Sequence, residues 1–314
     1  RGHCAGVDMA MECLNLVLMH HGSPVYVYHE IVHNRQVVED FRARGAVFVD
    51  DLDEVPIGAV LVFSAHGVSP AVRIRAKERK LQTIDATCPL VAKVHSEVLR
   101  FSRAGYKIIL IGHRRHDEVV GVVGEAPDSI TLVETIADVD RLSFGRGQKL
   151  AWLTQTTLSV DDCDRITDRL RSRFPNIVGP PKDDICYATQ NRQQSLREHC
   201  DQADVVVVVG SQNSSNSRRL AELAKDRQVT TYLVDSSAQL DVDSFSNEQT
   251  VLLTAGASAP ETTVQEVLRW FVDRFDAVAE ERTGVVENQL FALPPEVRSW
   301  HRSSELPLSI GIER

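Results

Sequence analysis

The chain has 314 residues and a formal net charge of −9, an acidic balance that excludes the broad basic field of a nucleic-acid or anionic-membrane surface and requires any anionic ligand to be held by local groups. No run approaches the roughly 18 apolar residues of a membrane span, and residues 1 to 20 lack the regions of a signal peptide, so a cytoplasmic protein of two or three compact units is expected. Six cysteines (4, 13, 88, 163, 186 and 200) in so long a chain do not form the dense framework of a small secreted domain and are read as free thiols or ligands.

Cys4 leads into a helical segment whose apolar positions are Val7, Met11, Leu14 and Leu18. A strand, SPVYVY, follows and ends at EIVHN; AVFVDD and AVLVF are further strands, the latter ending at SAHGVSP. The amphipathic segment VRIRAKERK and the connection QTIDAT lead to Cys88. Because the chain opens on Arg1, a strand is expected to precede it. Pro89 suits a first helical turn, and Val91, Val94, Val98 and Phe101 recur at helical spacing. Cys88 thus stands at a helix N-terminus, where unpaired N–H groups favour a thiolate, although a lone cysteine is more often a small buried hydrophobe. KIILIG ending in HRRHDE, ITLVE, LAWLTQTTLSVDD and DRITDRLRSRF complete this stretch. Cys186 then opens a third, with DVVVVVG ending in SQNSSNS, TYLVD, VLLTAGASAPETT, VQEVLRWFVDRF and a tail rich in proline and charge.

The three stretches repeat one plan. Cys4 to His33 is 29 residues, Cys88 to His116 is 28 and Cys186 to Ser214 is 28. The expected units are 1–87, 88–185 and 186–276, with 277–314 as a tail packing back on the body. Alternating strands and helices predict an α/β fold of three small, mainly parallel sheets, with ligand sites at the carboxyl ends of the strands. A pseudo-threefold arrangement would bring Cys4, Cys88 and Cys186 to one centre ringed by polar loops. Cys13, Cys163 and Cys200 fall inside helices and are read as structural.

Three cysteines without a CxxC pair do not have the short spacings of a structural zinc site. An iron–sulfur cluster normally takes four cysteines, so three would leave one iron open as a Lewis acid. His33, His66 and His116 stand at strand ends, and SSN (214 to 216), Thr156, Thr157 and ASA (257 to 259) offer imidazolium, hydroxyl, amide and backbone donors suited to phosphate oxygens. No GxxxxGK[ST] loop is present. Glu118, in the loop of His116, is the carboxylate whose pKa would rise in a closed site and which could then deliver protons.

GHCAGVDMAM, HEIVHNRQVVEDFRARGA, FSAHGVS, DATCPLVAKVH, TQTTLSVDD, KDDICYATQNRQ, VVGSQNSSNSRRLAELA and TAGASAP together resemble the 4-hydroxy-3-methylbut-2-enyl diphosphate reductase family from residue 1 to about 298. The resemblance implies a trefoil around a central [4Fe-4S] cluster with three cysteine ligands, Cys4, Cys88 and Cys186, and one open iron, which oxidation converts to [3Fe-4S]. It implies two-electron reductive dehydroxylation of an allylic diphosphate to isopentenyl and dimethylallyl diphosphates, the last step of the methylerythritol phosphate route, with ferredoxin or flavodoxin as electron donor. By the same resemblance His33, His66, Ser214, Ser215, Asn216 and Ser258 hold the diphosphate, His116 and Thr156 line the hydroxyl-bearing end, and Glu118 is the proton donor. His3 stands where the family usually has phenylalanine, beside the cluster, and Val120 replaces the second glutamate of an E-V-E-G run, leaving Glu118 as the loop's acid. Residues beyond about 300 match nothing in the family. Two other readings compete: an iron–sulfur dehydratase or condensing enzyme of quinolinate-synthase type, and a non-catalytic module stapled by a metal.

Overall fold

The computed structural model describes residues 2–303 apart from residue 283. The first sheet is built by α1 (Ala5–His21), β1 (Val25–Tyr28), α2 (Arg35–Ala43), β2 (Ala46–Val49), β3 (Val60–Phe63), α3 (Pro70–Glu78) and β4 (Gln82–Asp85), in strand order β2-β1-β3-β4. The second comprises α4 (Pro89–Arg103), β5 (Lys107–Ile111), α5 (Asp117–Glu125), β6 (Ile130–Val133), α6 (Ile136–Arg141), β7 (Leu150–Thr154) and α7 (Val160–Arg173), in order β6-β5-β7. The third comprises α8 (Tyr187–His199), β8 (Val205–Val209), α9 (Ser215–Asp226), β9 (Thr230–Val234), β10 (Val251–Ala255) and α10 (Glu261–Phe275), in order β10-β8-β9. A last helix, α11 (Pro295–Ser303), follows.

All strand pairs are parallel, and in each sheet the first strand lies between the second and third. Such sheets are covered on both faces, which explains apolar runs without alternation: all five valines of β8 are buried, as are Ile108 to Ile111 of β5. On α4 the spacing predicted the core face correctly, since Val91, Val94, Val98 and Phe101 are all buried; each such side chain contributes roughly 1.5–3 kcal/mol. Cys13, Cys163 and Cys200 lie in apolar clusters.

The repeat is imperfect in one place. The connection QTIDAT is a fourth strand, β4, paired with β3 from Val60↔Gln82 to Phe63↔Asp85. Its counterpart, NIVGPPKDDI, makes only a bridge from Val178 to Ala151, because Pro180 and Pro181 have no N–H to continue a ladder. The strand expected before Arg1 lies outside the described residues. After α10 the chain returns across the body, where Phe291, Leu293, Val297 and Trp300 pack on the cluster around α1, and the Trp300 ring stacks on His20 at 4.1 Å. Residues 304–314 of the expected tail lie outside the described residues. Among the described residues no helix is long and apolar enough to cross a membrane.

Candidate active site

Cys4, Cys88 and Cys186 occupy the N-cap positions of α1, α4 and α8, and none of the three side chains caps its helix. Their backbone N–H groups dock in the same way. Cys88 donates to Ala65 O (3.0 Å) after β3, Cys186 to Thr156 O (2.9 Å) after β7, and Cys4 to Ala257 O (3.0 Å) after β10. Each sheet's last loop therefore anchors the next cysteine, and the third closes back on the first. Gly6 lets two sulfurs approach: a Cβ there would lie 2.6 Å from Cys88 Sγ and 3.9 Å from Cys4 Sγ. Tyr187, next to Cys186, accepts a hydrogen bond from Ala5 N–H at 3.2 Å, and Cys186 Sγ lies 3.2 Å from Thr189 Oγ1.

The thiolate expected from the helix N-terminus of Cys88 is not what this protein environment favours without a metal. Burial pushes the Cys88 thiol up to about 12 and the Cys186 thiol to about 11, and the neighbouring cysteines reinforce it; Cys4 is raised as well, chiefly by burial. Helix amides oppose these shifts but are outweighed, because desolvation of a buried anion exceeds the pull of one helix terminus. Free, uncapped thiols gathered from three helices suit a metal group that deprotonates its ligands on binding.

These thiols help line a cavity of about 110 Å³, whose lining also includes His33, His66, His116, Glu118, Thr156, Ser214, Ser215, Asn216 and Ser258. All the polar residues singled out in the sequence meet here. His33 and His66 stack with ring centroids 3.9 Å apart, and His116 stands edge-on to them at 5.2 and 5.8 Å. The imidazolium donors expected from the sequence are neutral in the free protein at two of these positions. Burial, then the neighbouring histidines, holds His66 well below the usual range and lowers His116 to about 3. His116 Nδ1 accepts from Glu118 N–H at 3.2 Å and caps α5, which leaves Nε2 as its ring donor.

Glu118, 2 % exposed, accepts from Thr156 N–H at Oε1 (2.7 Å) and from the Thr156 hydroxyl at Oε2 (2.8 Å). Burial lifts its carboxyl to about 7 against the opposing pull of those two donors. The donor loops are also cross-linked. Asn216 donates from Nδ2 to Thr189 Oγ1 and accepts from Ala257 N–H, both at 3.0 Å. Ser258 donates to His33 O at 2.8 Å, Ser215 donates to Thr157 O at 3.1 Å, and Ser214 accepts from Ser217 N–H at the start of α9.

Sequence reasoning missed Asp117 and His29. Glu118 lies not in a loop but on the first turn of α5, and it is not the only acid there: Asp117 Oδ1 lies 3.0 Å from His29 Nδ1, and Oδ2 3.8 Å from His33 Nε2. Burial pulls the Asp117 carboxyl upward, but the His29 hydrogen bond and the surrounding histidines outweigh it and hold it below the usual range. One donor atom each from His33, His66 and Asp117 falls within 4.8 Å of the others, a spacing a divalent cation could bridge. The sequence signal was an acid beside Glu118 and a histidine four residues before His33, ordinary in themselves. His3 turns to Asp8 (Nδ1 to Oδ1, 3.2 Å) and Val120 is exposed on α5, so neither departure lines the cavity.

The family model described as LytB protein matches residues 1–271. This chain belongs to the LytB family. Among LytB relatives, the 4-hydroxy-3-methylbut-2-enyl diphosphate reductase of Rhodopirellula baltica is 58 % identical over 300 residues, covering 96 % of this chain and 94 % of its own. That of Mycobacterium leprae is 51 % identical over 302 residues, covering 96 % and 91 %. The solved E-1-hydroxy-2-methyl-but-2-enyl-4-diphosphate reductase of Plasmodium falciparum superposes with a TM-score of 0.94 at 40 % identity over 98 % of this chain and 97 % of its own. A second solved structure, an (E)-4-hydroxy-3-methyl-but-2-enyl diphosphate reductase, gives a TM-score of 0.62 at 28 % identity over 87 % of this chain and 96 % of its own. These matches do not favour the quinolinate-synthase-type or metal-stapled readings.

Proposed function

We propose that this chain is a 4-hydroxy-3-methylbut-2-enyl diphosphate reductase. It converts its substrate to isopentenyl and dimethylallyl diphosphates, taking up two electrons and two protons and releasing water, at the end of the methylerythritol phosphate route. The observation that carries the reading is the meeting of Cys4, Cys88 and Cys186 with the buried Glu118–Thr156 pair around one cavity. Held by these three cysteines, a [4Fe-4S] cluster with one open iron would supply electrons and a Lewis acid.

The chain's own residues do the rest. His33, His66, Ser214, Ser215, Asn216 and Ser258 hold the diphosphate by hydrogen bonds, and His66 takes up a proton as the anion arrives. Val7, Val32, Val91 and Ala188, also in the lining, keep water from the allyl group. His116 and Thr156 orient the substrate hydroxyl. Glu118 has a pKa of about 7; in its acid form Oε2–H donates to Thr156 Oγ1, 2.8 Å away, and the threonine hydroxyl turns to donate its own proton to the departing oxygen as it takes up that of Glu118. General acid catalysis of this kind contributes about 10²–10⁴ in rate.

The reading extends to ferredoxin or flavodoxin as electron donor, a cytoplasmic setting, and folding units at 1–87, 88–185 and 186–276. The units are supported by the one sheet each contains. The deciding experiment is an anaerobic preparation assayed for iron, sulfide and turnover with a low-potential donor. A brown protein with stoichiometric sulfide and activity on the hydroxylated diphosphate is expected, and a colourless protein with one tightly bound zinc would reject the function.

A further inference from the structure

Among the described arginines and lysines, only Arg192 is buried, at 7 % exposure. It lies on α8, six residues after Cys186. Its Nη1 donates to Ala255 O (2.8 Å) and Gly256 O (3.3 Å), and its Nη2 to Gly2 O (2.7 Å). Its Nε is buried with no partner. No carboxylate among the described residues lies within ion-pair distance of it. Half-buried cations elsewhere are answered by carboxylates: Lys93 Nζ sits 2.9 Å from Asp184 Oδ1, Arg197 Nη2 2.9 Å from Asp161 Oδ2 and Arg79 Nη1 3.2 Å from Asp53 Oδ1.

A buried guanidinium is retained where a counter-charge meets it. The three carbonyls offer only dipoles. The segments they belong to are those that present Cys4: Gly2 lies two residues before it, and Ala257, next to Gly256, receives its N–H bond. Three thiolate ligands outweigh the positive core of the cluster they would hold, so the group would be net negative, and each electron delivered would add another negative charge.

We propose that Arg192 is the buried counter-charge of the cysteine site, a positioning residue that favours the reduced, more negative state of the group held by Cys4, Cys88 and Cys186. This rests on the proposed cluster. Removing the charge should disfavour reduction, whereas removing only the fork of hydrogen bonds should not.

The experiment is an anaerobic potentiometric titration of the cluster-loaded full chain, followed by electron resonance, for the parent, R192Q and R192K. R192Q should lower the reduction equilibrium constant at least tenfold, about 59 mV for one electron, while R192K stays near the parent. Equal potentials in R192Q and the parent overturn the proposal. So do equal displacements in R192Q and R192K, which would make geometry the cause. Should R192Q hold no iron, metal-free R192Q melting together with metal-free parent supports the counter-charge, and early melting assigns Arg192 to clamping the fold and overturns it. A parent that holds no iron overturns the functional reading and this inference together; a loaded parent with an unmoved R192Q overturns this inference alone.

Discussion

Where cysteines line the cavity, three thiols are held protonated by burial, Cys88 at about 12 and Cys186 at about 11; where histidines line it, His66 and His116 are held neutral by burial and by the histidines around them. Both regions suppress charge in the free chain by the same desolvation, yet their ligands would restore charge of opposite sign. A metal group draws protons off the sulfurs, and a diphosphate draws protons onto the imidazoles. The border runs between adjacent residues of α5. Asp117 faces His29 and His33 and stays ionised, while Glu118 faces Thr156 and is raised to about 7.

The largest expected effect comes from removing a sulfur. Cys88→Ser should abolish stoichiometric iron binding and lower turnover by about 10³ or more, since the ligand and its charge are lost together; iron, sulfide and rate measured on one anaerobic sample check it, and full iron content would remove Cys88 from the ligand set. Next, Glu118→Gln should lower kcat by about 10²–10⁴ with diphosphate affinity kept within a few-fold, read from titration with inorganic diphosphate. Unchanged kcat would take Glu118 out of the chemistry.

A pH profile separates the two carboxylates. The acid form of Glu118 is depleted as pH rises through about 7, so kcat should fall there in the parent, and Glu118→Gln should lack that limb. For stability the sign is the same: folding binds a proton at Glu118, a contribution present in full below 4.5 and lost as pH rises through about 7. At the histidines, diphosphate binding should take up protons near neutral pH, because anion contact raises imidazoles held low in the free chain; calorimetry in two buffers of different ionisation enthalpy measures the number, and zero uptake contradicts the comparison. The smallest effect is expected at Cys200→Ala, buried among Leu196, Val206 and Leu220: about 1 kcal/mol or less of stability by denaturant melt, with iron content unchanged.

Much of this was legible in the sequence because repetition makes weak signals add. One cysteine before a proline is ambiguous; three at equal distances from polar strand-end loops locate a common centre. Apolar runs such as Val205–Val209 gave the strands for the same reason. The pKa of Cys88 was misread because the helix terminus is visible in sequence and the depth of burial is not. Asp117, His29, Thr189 and Arg192 escaped notice because their partners lie on other elements: Arg192 meets carbonyls 63 and 190 residues away, and its position on a polar helix looks like solvent exposure. QTID was passed over as a strand since only Ile84 of its four residues is buried.

The ring of amide bonds also sets an order of manufacture. Cys4 leaves the ribosome near the beginning of this sequence, but the carbonyl that fixes it belongs to Ala257, made after every strand of all three sheets. Until that late loop emerges, the first ligand has no seat, so a half-made chain cannot present all three sulfurs together and delivery of metal must wait for nearly finished polypeptide.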